Sequence, residues 1–267
     1  MKRTFLAGWL LGLALLTGSA QAAAFDHGAW DALLKQHVVV IEGGQATQAD
    51  YAGFARDRAK LKAYLGSLSA VSRSTFDGWP KPERLAFLIN AYNAWTVEYI
   101  LTKYPDIKSI KDLGSILQSP WKKKFIPLFG QTVALDDIEH GMIRAADVYA
   151  EPRIHFAVNC ASIGCPALRA EAFNAEKIST QLDDSARSFL ADRSRNRLAN
   201  GKLELSSIFK WYREDFERGW GGYKSLFQFL GDYAPALGLS AADTQKLKTK
   251  SMPLSFLDYD WRLNVKK

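Results

Sequence analysis

The spacing of hydrophobic positions changes character along this chain, and each change marks an element. Trp30, Leu33, Leu34 and His37 recur at helical spacing, which predicts an amphipathic helix over residues 26–37, closed off by Gly43-Gly44. A second helix is predicted over residues 50–70, with Tyr51, Phe54, Leu61, Tyr64, Leu65 and Leu68 on its apolar side. Gly78-Trp79-Pro80-Lys81-Pro82 is a turn whose proline suits a first helical position. Over residues 83–103, Leu85, Phe87, Leu88, Ile89, Tyr92, Trp95, Val97, Tyr99, Ile100 and Leu101 cover most of a helical circumference, so this helix is predicted to be buried on nearly all sides. Asn90 and Asn93, three apart, form a polar stripe within that apolar rod. A buried amide left unsatisfied costs ~1–3 kcal/mol. The pair therefore either bonds the backbone of a neighbouring loop or serves a site, orienting a histidine or donating to an oxyanion.

Later the period shortens. Residues 124–134 read as a hairpin turning at Gly130-Gln131. The next segment opens a helix in which Asp136 and Glu139 fit a capping box, and Ile138, Met142, Ile143 and Ala146 face the core. His140 and Arg144 share the opposite side, where a histidine is either solvated or lines a cleft. Residues 153–159 alternate, Ile154, Phe156 and Val158 against Arg153, His155, Ala157 and Asn159, the period of a half-buried strand. Gly164 and Pro166 stop that pattern and place Cys160 at a strand-to-loop transition. Beyond it come a helix over 174–194, a hairpin over 196–205 turning at Asn200-Gly201, and a helix capped by Ser206-Ser207. The aromatics of that last helix, Phe209, Trp211, Tyr212 and Phe216, read as core with Ile208. Helices over 223–233 and 240–249 and an extended segment over 254–264 complete the order. Helices first and short strands later predict an α+β fold: a helix-rich single domain with a buried central helix and a small, mainly antiparallel sheet.

The first residues change the picture of where the chain works. Lys2 and Arg3, an apolar run over 6–16 and Ala20-Gln21-Ala22 have the layout of a secretory signal peptide, with cleavage expected after Ala22. The run is shorter than the ~20 residues of a bilayer span, so no stable span is expected after cleavage. The 245 residues left from 267 suffice for one core over 23–267, and net charge falls from +7 to +5. That modest excess does not argue for nucleic acid, and Lys122-Lys123-Lys124 beside Trp121 reads as a solvated loop. Export to a periplasm or beyond the cell implies an oxidising compartment, where two cysteines can be bridged.

Five blocks together resemble one family. They are residues 87–93 (FLINAYN), 135–144 (LDDIEHGMIR), 152–160 (PRIHFAVNC), 205–212 (LSSIFKWY) and 258–264 (DYDWRLN). In this order, spanning roughly 81–264, they resemble the domain of unknown function 547 family of bacteria, plants and animals. The resemblance implies no established activity. It does imply that Asn90, Asn93, Glu139, His140, His155 and Cys160 belong to the family's own motifs and meet in one site.

The residues leave two main readings of that site. In one, the chain is a cysteine-dependent hydrolase or acyl-transfer enzyme, with Cys160 as nucleophile, His140 or His155 as base, Glu139 or Asn93 as orienter and Asn90 as oxyanion donor. In the other, Cys160 and Cys165 close a small loop as a disulfide in a non-catalytic module that binds a small molecule or envelope ligand. A redox dithiol fits less well, since the spacing is not Cys-x-x-Cys. Zinc fits least, because His140, His155 and the cysteines show no tight ligand pairs. No cofactor is expected, and the sequence does not set an oligomeric state.

Overall fold

The computed structural model describes residues 24–145 and 148–267, so the expected leader and Ala146 lie outside the described residues. Helix α1 (Gly28–His37) buries Trp30, Leu33, Leu34 and His37, as their spacing predicts. It runs directly into strand β1 (Val38–Ile41), which pairs antiparallel with β2 (Ala46–Ala49) around Gly43 and Gly44. This hairpin was not anticipated, although the β-branched run Val-Val-Val-Ile favours a strand. The single helix expected over 50–70 is two, α2 (Tyr51–Arg56) and α3 (Arg58–Ser69). Asp57 breaks it at φ −95° and ψ 15°, with its carboxylate 2.9 Å from His37 Nε2.

After the short α4 (Arg73–Asp77), helix α5 (Lys81–Leu101) forms the innermost rod. Pro80 precedes it, Pro82 sits in its first turn, and both Asn90 and Asn93 are buried. One apolar cluster gathers around α5, and a second around Phe156, Phe209, Phe216 and Phe229.

The strands form three small sheets rather than one. β3 (Ile126–Leu128) and β4 (Gln131–Val133) pair antiparallel, turning at Phe129 and Gly130, with φ of 54° and 75°, one residue before the expected turn. β5 (Arg197–Ala199) and β6 (Lys202–Ser206) turn through Asn200 and Gly201, whose φ values of 50° and 71° suit the two-residue hairpin their sequence signals. β7 (Leu254–Leu257) joins β6 in parallel. The helix-rich α+β class, the buried central helix and the mainly antiparallel pairing hold. Helices α6 (Ile178–Ala191), α7 (Ile208–Trp211), α8 (Leu226–Asp232) and α9 (Ala241–Lys248) complete the set among the described residues. None of the described helices is long and apolar enough to cross a membrane.

Two further expectations are corrected. Residues 153–159 are not a strand: Pro152–Phe156 is a 3₁₀ turn whose entry is fixed by Pro152 and by Glu151, which accepts the Arg153 N–H at 3.0 Å. Alternation misled because the supposed polar side is buried too, His155 and Ala157 at 2% exposure and Asn159 at 4%. The helix expected after Leu135 winds wide, with Arg144 N–H reaching Glu139 O at 2.8 Å across Asp137–Ile143, a π-helical turn.

Candidate functional site

A pocket of about 210 Å³ opens where α5, the π turn, the two-cysteine loop, α7 and the segment after β7 converge. It brings together Glu139, His140, His155 and Cys160, four of the six residues singled out in the sequence.

His155 is its best-defined group. The 3₁₀ turn sends Ile154 into one apolar cluster and Phe156 into the other, and leaves the imidazole between them. Its Nε2 lies 2.7 Å from Asp215 Oδ2, and its ring stacks on Tyr212, centroids 3.9 Å apart and planes at 23°. Asp215 comes from the 3₁₀ turn Arg213–Phe216 and is fully buried. Its Oδ1 receives Arg144 Nη2 at 3.1 Å and Arg218 Nη2 at 2.8 Å. Burial works to raise the Asp215 pKa, but hydrogen bonds from His155 and Arg144 outweigh it and hold the carboxyl well below the usual range. Burial pulls the His155 pKa below its ordinary value, against the opposing influence of Asp215. A charged carboxylate can only accept, so the histidine proton sits on Nε2 and the lone pair on Nδ1. His155 Nδ1 is buried and has no hydrogen-bond partner.

His140 is differently placed. Arg144 Nη1 lies 2.6 Å from its Nδ1, so a guanidinium occupies that lone pair, and Nε2 faces Asp136 Oδ1 at 3.4 Å. Glu139 does not act in a capping box. Asp136 makes no cap bond, and the Ala134 N–H goes to Asp137 Oδ2 at 2.8 Å instead. The buried Glu139 carboxylate accepts the Tyr212 hydroxyl at 2.7 Å. Burial, reinforced by that carboxylate, pushes the Tyr212 and Tyr92 hydroxyls well above the ordinary tyrosine range, so both remain proton donors.

Cys160 and Cys165 form a disulfide, with Cα atoms 6.1 Å apart. The Cys160 N–H points at Cys165 Sγ at 2.9 Å, and the Tyr259 hydroxyl lies 3.2 Å from one sulfur and 3.1 Å from the other. The loop holds an unusual path: Ala161 takes φ 62°, and its N–H is received by Asn159 Oδ1 at 2.9 Å. At Gly164 a Cβ would come to 3.0 Å from both Asp260 N and the Tyr259 ring, so a larger residue would push the late segment away from the loop. Hydrogen bonds from Ile163 N to Arg262 O (2.8 Å) and from Gly164 N to Asp260 O (2.9 Å) fasten the late segment to the loop and set Tyr259 and Trp261 on the pocket wall.

The two asparagines stand apart from the pocket. Asn90 exchanges hydrogen bonds with the Phe173 backbone (2.8 and 3.0 Å), and Asn93 bonds Ala157 O (3.0 Å) and receives the Asn159 N–H (2.8 Å). Both amides bind loop backbones and so fix packing. Asn93 thereby fixes the chain just before Cys160.

Trp211 is not core. It is 48% exposed and, with Tyr259, Trp261 and Trp121, forms an aromatic wall in which Trp211 stacks on Trp261 at 5.7 Å and Trp121 meets Trp261 at 5.6 Å. Sequence reasoning did not single out Asp215, Tyr259 or Trp261. In the sequence Asp215 stands directly after Glu214 in the run Arg213-Glu214-Asp215, where nothing sets it apart from a solvated charge. Among the described residues no group of three or more His, Cys, Asp or Glu is placed to hold a metal ion.

No curated protein and no solved structure matches the chain. A family model does, and its span contains α5, the π turn, His155 and both cysteines but stops before Tyr212, Asp215 and Tyr259. Over residues 76–190, this chain matches the family described as "Protein of unknown function, DUF547".

Proposed function

We propose that this protein is an exported cysteine-dependent hydrolase or acyl-transfer enzyme that works with its Cys160–Cys165 bridge reduced. The observation that carries the reading is His155, tied at Nε2 to a charge-held Asp215, with an unpartnered Nδ1, in the pocket that also holds Cys160. That is the arrangement of a base with its orienting carboxylate. His155 is preferred over His140 because Arg144 occupies the His140 Nδ1 lone pair.

Two electrons and two protons from an external dithiol open the bridge to two thiols, and the dithiol becomes a disulfide. Cys160 then gives its proton to His155 Nδ1, and the thiolate attacks an acyl carbon. The leaving amine or alcohol takes that proton, and a thioester remains on Cys160 until water or an acceptor amine releases the acyl group. The Tyr259 hydroxyl, beside both sulfurs, is the donor best placed for the developing oxyanion. The aromatic wall suits a ligand with an apolar or ring-shaped face.

The test is alkylation of the reduced protein across pH. Cys160 should show a pKa clearly below ~8.5 that returns toward that value in His155→Ala. An ordinary pKa, unchanged by His155→Ala, overturns the reading. The bridge itself supports a second reading, a binding module whose loop is permanently closed. Under it, ligand binding persists in the oxidised protein and no acyl transfer appears on reduction.

A further inference from the structure

We propose that the turn carrying Ile116 and Leu117 is a docking tip for the surface of an anionic lipid bilayer. Both side chains are fully exposed, at 104% and 97%. They are displayed by a built turn. Ser115 N donates to Gln118 O at 2.9 Å, and Ser115 Oγ receives the Leu117 and Gln118 N–H groups at 3.3 and 3.1 Å. At the base, a Cβ on Gly114 would come within 2.7 Å of Pro120 Cδ, so the two arms of the turn are closely packed. The 3₁₀ turns Ile110–Leu113 and Pro120–Lys122 anchor the arms by burying Ile110, Leu113 and Pro120.

Basic residues flank this tip along the chain on both sides. Lys108, Lys122, Lys123 and Lys124 are exposed, as is Lys111, whose ammonium lies 3.8 Å over the Trp261 ring. Between residues 107 and 125 the only acidic residue is Asp112, and its carboxylate is turned back onto the N–H groups of Lys108 and Ser109.

Two aliphatic side chains are too small a face for a stable protein contact, which needs roughly 800 Å² per partner. An exposed aliphatic tip flanked by lysines instead fits a bilayer interface, where aliphatic side chains reach past the headgroups and lysines meet the phosphates. The chain leaving the tip enters the pocket wall at Ser119 and Trp121, so docking brings the pocket toward the lipid surface.

The test uses the chain as purified from the cell envelope, with the native cysteines bridged. Leu117→Cys carries an environment-sensitive fluorophore. Vesicles of phosphatidylglycerol and phosphatidylcholine should shift its emission to the blue, whereas pure phosphatidylcholine should not. Changing Lys122, Lys123 and Lys124 together to glutamine, or Ile116 and Leu117 together to serine in the unlabelled chain, should weaken vesicle binding about tenfold with melting temperature unchanged. No shift on anionic vesicles overturns the proposal. So does an equal response to both vesicle types, or a shift that appears on concentrating the protein without lipid, which would mark a second copy as the occupant. None of the substituted residues lines the pocket, so vesicle binding and thiol chemistry can fail independently.

Discussion

Asn93 on the central helix receives the backbone N–H of Asn159 at 2.8 Å, so the innermost element of the fold sets the position of the residue before Cys160. The same side chain donates to Ala157 O at 3.0 Å. Asn93→Ala strands both backbone groups, and each stranded group costs ~1–3 kcal/mol. Asn90→Ala should cost a similar amount through the Phe173 backbone. Urea denaturation should show comparable losses for the two variants, whereas only Asn93→Ala should alter the alkylation rate of reduced Cys160.

Asp215 is a buried carboxylate shared by His155, Arg144 and Arg218. Asp215→Asn keeps the shape but leaves two guanidinium groups facing a neutral amide. Removing one member of a buried ion cluster destabilises by ~3–5 kcal/mol. A denaturation midpoint within error of the wild type would show that the cluster does not tie these elements together.

Acid should destabilise the protein through His155 and His27. Burial keeps His155 neutral, so below the ordinary histidine pKa of ~6.5 the unfolded chain binds the proton that the folded chain resists. Stability therefore rises with pH through that window and is lost as pH falls below it, by up to ~1.4 kcal/mol per pH unit for one histidine. His27, pulled by burial to about 4, acts in the same direction. Asp215, held low, adds a second loss as pH falls below ~3.9. Denaturation at pH 7.5, 6.5 and 5.5 should show the first trend, and His155→Gln should reduce its slope to the share that His27 leaves.

The bridge spans few residues, so its loop-closure contribution is about 2 kcal/mol. The protein isolated without reductant should show no free thiols, and two after reduction in denaturant. Cys160→Ser and Cys165→Ser should lower the melting temperature equally, whereas only Cys160→Ser should abolish acyl transfer by the reduced enzyme. Equal retention of activity would remove Cys160 from the chemistry.

What the sequence revealed depended on how local the determining forces were. The apolar circumference of α5 and the Asn200-Gly201 hairpin are set by near neighbours, and both were legible. Residues 153–159 were misread because alternation over seven positions cannot distinguish a solvent-facing polar side from one buried against Asp215 and Pro166. Glu139 resembled a cap from its spacing alone, while its actual partner, Tyr212, lies far along the chain. Asp215 was hidden because its meaning comes from Arg144, His155 and Arg218, and the first two of these reach it only through tertiary folding.

The fastening of Tyr259 and Trp261 onto the cysteine loop carries a consequence for biogenesis. During synthesis the histidine and both sulfurs emerge from the ribosome about a hundred residues before the rings that wall them in. Until those rings arrive, the two thiols are open to whatever oxidant or chaperone the nascent chain meets, so pairing of the cysteines can precede completion of the cavity they line.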